Sequence, residues 1–246
     1  MVDPANGDTT KTIRSIERAI DVLSCFDQAT PQLSVTDLQK RTGLSRPTLY
    51  RILATLSGKG VIRSFGEPQR FELGHEASRL GANWIGQDDS VRAARPILTR
   101  LWKETGETVA LFVAAENGKK ICVEELQSTQ ALTFTRGIGF MEDLATGASG
   151  KAMLAFTHEA SSNPEFDDVR RSGVRVSEGE IIEGAVAVAA PVFDRDGTVK
   201  GSVCVFGPEV RLLGARRRDC IERVRSASED ISRALGYTEA IASAAE

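Results

Sequence analysis

With 246 residues, 41% of them hydrophobic, and a net charge of −3, the chain is long enough for two domains that each bury a core. No apolar run approaches the length of a bilayer crossing. The polar opening Asp3-Pro4-Ala5-Asn6-Gly7-Asp8 lacks the features of a signal peptide, so the expectation is a cytoplasmic protein without a membrane partner and with a disordered tail over residues 1–11. Four cysteines (Cys25, Cys122, Cys204, Cys220) with no CxxC pair, and only two histidines, argue against a disulfide framework, a metal site or a cofactor.

In chain order, the strongest local signals lie between Leu33 and Gly74. Ser34-Val35-Thr36-Asp37 has the spacing of a helix cap with an acid at the third helical position, and Gly43 supplies a left-handed stop. Ser45 can cap a second helix, whose first turn tolerates Pro47 because its N–H groups are unpaired there anyway. Leu49, Ile52, Leu53 and Leu56 then form one apolar face, while Arg46, Thr48, Tyr50 and Arg51 point elsewhere. A short helix, a glycine turn and a second helix with basic and hydroxylated residues outward is the pattern of a helix-turn-helix, whose second helix enters the DNA major groove. Arg51 lies opposite the apolar face, and Ser45 and Thr48 stand at the helix start, near phosphates or base edges.

Charge supports this reading. Residues 36–70 hold seven basic side chains against two acidic ones, a basic island of +5 on an acidic chain. A charge run alone equally describes a solvated helix face, and it is the helix-turn-helix spacing that favours nucleic acid. Next, Val61-Ile62-Arg63 and Arg70-Phe71-Glu72-Leu73 flank a turn containing Gly66 and Pro68, which predicts a hairpin beside the second helix. As a wing, it would offer Arg63 and Arg70 to backbone phosphates, contacts that fix register and carry little sequence information.

Residues 75 to about 105 read as helical. Ala77, Leu80 and Trp84 share one side, Gly86-Gln87-Asp88-Asp89 interrupts, and Ser90 can cap a helix bearing Val91, Ala94, Leu98 and Leu101. The first stripe is either an intradomain packing face or a pairing face for a second subunit. Farther on, 107–115, 119–126 and 131–136 read as strands, with Asn117-Gly118 as a hairpin turn. A helix over 147–156, two strands over 185–193 and 199–206, and a last helix over 215–235 complete an α+β domain with an antiparallel sheet. The expected division is a winged helix-turn-helix domain over 12–74, a helical linker over 75–90, and a second domain over 91–246.

The run from Ser15 to Gly74 resembles the winged-helix domain of IclR-type transcription regulators. Its carriers are the opening helix Ser15 to Leu23, Gly43-Leu44-Ser45, Thr48 to Leu53, and Phe71-Glu72-Leu73-Gly74. Gly150-Lys151-Ala152-Met153-Leu154-Ala155, Ala189 to Asp194, and Gly197 through Gly207-Pro208 resemble the family's effector domain, so the likeness runs to about residue 236. It implies a GAF-like effector domain, homodimers or homotetramers, a double-stranded DNA operator, and a repressor or activator of a catabolic operon.

For a ligand, the small residues Thr146 to Gly150 let N–H groups at a helix start approach an anion, with Ala148 and Ser149 as donors. The same residues would also serve close helix-to-sheet packing. The resemblance implies an effector pocket lined by this turn, by Glu180 and by Ala187, Cys204 and Phe206. Phe206 stands where the family often has a small hydroxyl residue, and alternation places Cys204 and Phe206 on one face. Together these imply a small organic or aromatic acid as effector. Thr157 to Val169 is far shorter than the family's usual helical segment, which leaves open a winged-helix interaction protein without effector binding. Ser149, Lys151 and His158 form the only cluster suggestive of catalysis; they make no nucleophile–base–stabiliser set, and no enzyme is expected.

Overall fold

The computed structural model describes residues 12–27, 30–87, 89–157 and 163–238. The expected tail over 1–11, Asp88 and His158 lie outside them. The chain divides into two units, Met1–Trp84 and Ile85–Glu246.

The first unit contains α1 (Arg14–Leu23), α2 (Val35–Thr42), α3 (Arg46–Gly58), β1 (Ile62–Phe65), β2 (Arg70–Leu73) and most of α4 (His75–Gln87). At the start of α2 the Ser34 hydroxyl accepts the Asp37 N–H at 3.2 Å, and the Asp37 carboxylate accepts the Ser34 N–H at 3.0 Å. This reciprocal cap satisfies two N–H groups that no helix can pair internally. Gly43 then closes α2 with φ 68°, a conformation that a side chain would oppose. Val22, Leu38, Leu49, Leu53, Ile62 and Phe71 make the core, each large side chain stabilising the fold by about 1.5–3 kcal/mol.

The hairpin pairs Ile62 with Leu73 through Phe65 with Arg70. Leu33 adds an isolated bridge to β2, exchanging hydrogen bonds of 3.0 and 2.8 Å with Phe71. Gly74, which follows the hairpin, passes so close to Gly60 that a Cβ would overlap its carbonyl oxygen. The helix after it includes Gly86 and Gln87, and the next begins at Asp89, so these three residues of the expected interruption are helical. Ser90 is buried inside that next helix rather than capping it.

The second unit holds α5 (Asp89–Thr105), β3 (Thr108–Ala115), β4 (Lys119–Leu126), β5 (Met141–Asp143), α6 (Gly147–Leu154), α7 (Asp167–Ser172), β6 (Arg175–Glu178), β7 (Ala185–Phe193), β8 (Val199–Pro208) and α8 (Gly214–Ala234). The strands form one antiparallel sheet in the order β5-β4-β3-β8-β7-β6. Alternation sends Val109, Leu111, Val203 and Val205 to the face covered by α5 and α8, where Leu98, Leu101, Val224 and Ile231 meet them. Ala110, Phe112, Cys204 and Phe206 point to the opposite face, against Ala148, Ala152 and Met153 of α6. With both faces covered, β3 and β8 carry nearly continuous apolar runs.

The expectation of a strand over 131–136 is overturned. That segment has no strand conformation, and side chains satisfy its backbone instead. Thr108 Oγ1 donates to the Phe134 carbonyl at 2.8 Å, Arg211 to the Leu132 carbonyl at 2.9 Å, and Glu125 accepts the N–H groups of Arg136 and Gly137 at 2.8 and 2.9 Å. The edge of β4 is taken by Met141–Asp143, three residues with too weak a pattern to announce a strand. All four cysteines are buried free thiols.

Candidate nucleic-acid interface and ligand cavity

Gly43, left-handed at the end of α2, turns the chain toward α3. Leu49 and Leu53 of α3 are buried, and Arg51 projects from the exposed side. Among the described residues the Arg51 guanidinium has no hydrogen bond or ion pair. Tyr50 is half exposed, and the Ser45 and Thr48 hydroxyls bond each other at 2.9 Å at the helix start instead of capping it. Arg46 reaches back toward Gln39 and Thr36 of α2, at 3.4 Å each. Of the basic island, Arg41 turns inward, donating to the Cys25 carbonyl at 2.7 Å, and so ties α2 to the end of α1.

On the hairpin, the register puts Arg63 and Arg70 on the face opposite buried Ile62 and Phe71. Arg63 is not idle there: it is ion-paired with Glu72 directly across the ribbon, and Glu72 also accepts from Gln32 at 3.1 Å. Arg70 acts at longer range on Asp37, whose carboxyl is held below its ordinary pKa first by the Ser34 hydroxyl and N–H, with Arg70 contributing. The seven side chains singled out in the sequence therefore share one unit but differ in how far each is already engaged.

In the second unit a cavity of about 40 Å³ opens between the sheet and the start of α6. Its lining includes Ser149, Glu180, Ala187, Cys204 and Phe206, five of the six residues expected there. Ala148 does not line it and is buried in the packing of α6 against the sheet. The start of α6 is fixed from below by Lys120, a fully buried lysine that donates to the Thr146 carbonyl and, at 3.3 Å, to the Asp143 carbonyl. Burial lowers the Lys120 pKa, and Glu142 at 3.3 Å opposes that shift. Gly150 is required here, since a Cβ would run into the Leu144 carbonyl oxygen and crowd the Lys120 ammonium.

Glu180 does more than wait for a ligand. Its carboxylate accepts the Gly147 N–H at 3.1 Å and pairs with Lys151 at 2.8 Å. Burial alone would raise its pKa, but the Lys151 hydrogen bond, the Gly147 N–H and the nearby charges outweigh that and leave it lowered. Burial pushes the Cys204 thiol up to about 12, so the cavity floor is a neutral, apolar thiol. Arg136, Glu142, Phe134 and Ile182 also line the space and were missed in the sequence; Phe134 and Arg136 come from an irregular stretch held by side-chain bonds, and Glu142 from the three-residue β5.

Beyond α6, residues Pro164–Phe166 form a 3-10 turn followed by the six-residue α7, with Phe166 and Val169 buried beside Ala155. Among the described residues no cluster of His, Cys, Asp and Glu is arranged to hold a metal ion, and no helix is long and apolar enough to cross a membrane.

Residues 15–64 match the family model for the IclR helix-turn-helix domain. Residues 83–164 and 157–233 match that for the bacterial transcriptional regulator IclR C-terminal domain, in two pieces that overlap over residues 157–164. The chain is 27% identical over 244 residues to the HTH-type transcriptional regulator BhcR of Paracoccus denitrificans, covering 89% of this chain and 86% of that protein. It is 23% identical over 253 residues to the acetate operon repressor of Salmonella typhimurium, covering 93% and 92%. In fold it is similar to an IclR transcriptional regulator from Alicyclobacillus acidocaldarius, with TM-score 0.80, 21% identity, and coverage of 92% of this chain and all of that one.

Proposed function

Because the chain belongs to the IclR family of bacterial transcriptional regulators, which bind DNA, we propose that it reads an operator as a homodimer and answers to a small organic acid held in the cavity beside α6. The observation that carries the DNA half is the exposed face of α3, where Arg51 stands opposite the core with no partner of its own among the described residues. Ser45, Thr48 and Tyr50 flank it, and Arg46, Arg63 and Arg70 are the phosphate contacts that set register. A single winged helix covers one half-site, so a two-fold dimer on a near-palindromic site is the economical arrangement.

The sensing half rests on the cavity, with Ser149 and Glu180 at its polar end and Ala187, Cys204 and Phe206 on its apolar side. A regulator named for the acetate operon among the relatives agrees with a catabolic operon and a carboxylate signal. Such a ligand must bind one arrangement of the two DNA readers better than the other, since equal affinity for both shifts nothing.

Selection of bound fragments from sheared genomic DNA with the full chain tests the reading. Half-sites are expected about one helical turn apart or a multiple of it, roughly 10 base pairs. On a selected site, Arg51→Ala is expected to cost about 1–3 kcal/mol and to relax preference at one position, as for loss of a guanine contact. Unchanged affinity and unchanged preference would remove α3 from the interface.

A further inference from the structure

Small residues at the N-terminus of α6 would suit a carboxylate ligand, but that end already holds a carboxylate, the side chain of Glu180 on the Gly147 N–H. The charges around the cavity point elsewhere. Glu142 has Lys120 at 3.3 Å and Glu180 has Lys151 at 2.8 Å, so these acids and lysines cancel in pairs. Arg136 is left over. Among the described residues its guanidinium makes no hydrogen bond or ion pair; it lies over the Phe140 ring, 5.1 Å from the centroid.

The backbone of Arg136 is anchored by its N–H to Glu125 at 2.8 Å, so the base of the side chain is held, and the residue lines the cavity. Its charge is felt at the floor, where Lys120 and then Arg136 pull down the Cys204 pKa against burial. A half-buried cation in front of open space, with Phe112, Phe134 and Phe206 as walls, is costly unless an anion pairs with it.

We infer that Arg136 is the specificity-determining residue of this cavity, holding the single carboxylate of a monoanionic acid whose apolar body rests on the phenylalanines. One uncompensated cation fits one negative charge. A second carboxylate would be left without a counter-ion among apolar walls, which disfavours dianions. The inference rests on the acid-sensing reading and sharpens it.

Thermal-shift and calorimetric titrations of the full chain with benzoate and isobutyrate test it, at constant ionic strength, against succinate and the neutral isosteres benzamide and isobutyramide. The expected result is binding of a monoanion by the wild type and by Arg136→Lys, with affinity about 10- to 100-fold weaker in Arg136→Gln and no response to the amides or succinate. Equal binding of a monoanion by the wild type and Arg136→Gln would overturn the role of Arg136 and leave acid sensing standing. An equal response to acids and amides, or no response of the wild type to either monoanion, would overturn the acid reading and the inference together. Circular dichroism of both variants before titration confirms that each is folded.

Discussion

Four arginines of this chain illustrate how one side chain takes different roles from its surroundings. Arg41 is consumed by the Cys25 carbonyl, Arg63 by Glu72, while the guanidinium groups of Arg51 and Arg136 make no hydrogen bond or ion pair among the described residues. The Arg63–Glu72 pair is the informative one, because the arginine is largely exposed and a phosphate can compete for it only by displacing a carboxylate. Glu72→Gln removes both the competitor and a negative charge facing DNA. Affinity for a selected site is expected to rise about two- to five-fold, the range of an exposed pair. The slope of log affinity against log salt should steepen by about one phosphate contact. Fluorescence anisotropy across a salt series measures both, and an unchanged slope would show that Arg63 does not reach the backbone.

Helix α2 depends on its first turn. It is eight residues long, too short to persist on propensity alone, and the reciprocal bonds between Ser34 and Asp37 set where it begins. Ser34→Ala is expected to cost about 1 kcal/mol, read from the unfolding of the N-terminal unit. The Asp37 carboxylate is favoured in the folded state by the Ser34 hydroxyl and N–H, so its pKa is lowered. The sign follows: this contribution is present at neutral pH and is lost as pH falls through the lowered pKa. Melting curves from pH 7 downward should show wild type more stable than Asp37→Asn, with the gap narrowing below about pH 4. A gap independent of pH would mean that the carboxylate's charge plays no part. The segment between β4 and β5 makes the opposite case, an irregular stretch held by Thr108, Glu125 and Arg211 side chains rather than by a ladder.

Assembly is where exposed apolar surface has to be accounted for. Along α1, Ile13, Ile16 and Ile20 are 62%, 57% and 55% exposed at helical spacing, and on α4 Leu80 and Trp84 are 55% and 48% exposed. A stripe of this kind on a small domain is typical of a contact with another chain, and the two-fold dimer proposed above gives it an occupant. Replacing both Ile16 and Ile20 by Glu is expected to shift sedimentation at micromolar concentration from dimer to monomer. Operator affinity should fall steeply, while near-wild-type circular dichroism is kept. A dimer that survives this change would place subunit pairing elsewhere.

Much of this protein is written locally, and those parts are legible without a structure. The cap at Ser34, the stop at Gly43, the apolar face of α3, and the paired strands β7 and β8 all follow from interactions within a few residues or from periodicities of 3.6 and 2. Of five cavity residues, Ser149 belongs to a small-residue turn with its own sequence signature, while Glu180, Ala187, Cys204 and Phe206 follow from resemblance to a family. Ala148 does not line the cavity, since a helix start shows which residues are small but not which way each one faces. Arg136 and the Glu180 latch leave no such mark. Arg136 sits in a stretch shaped by contacts 11 to 79 residues distant in sequence, and Glu180 meets Gly147 across 33. Which acid keeps its own lysine and which arginine is left without a carboxylate is settled by the folded chain, because charge compensation depends on distances in space that no local pattern records.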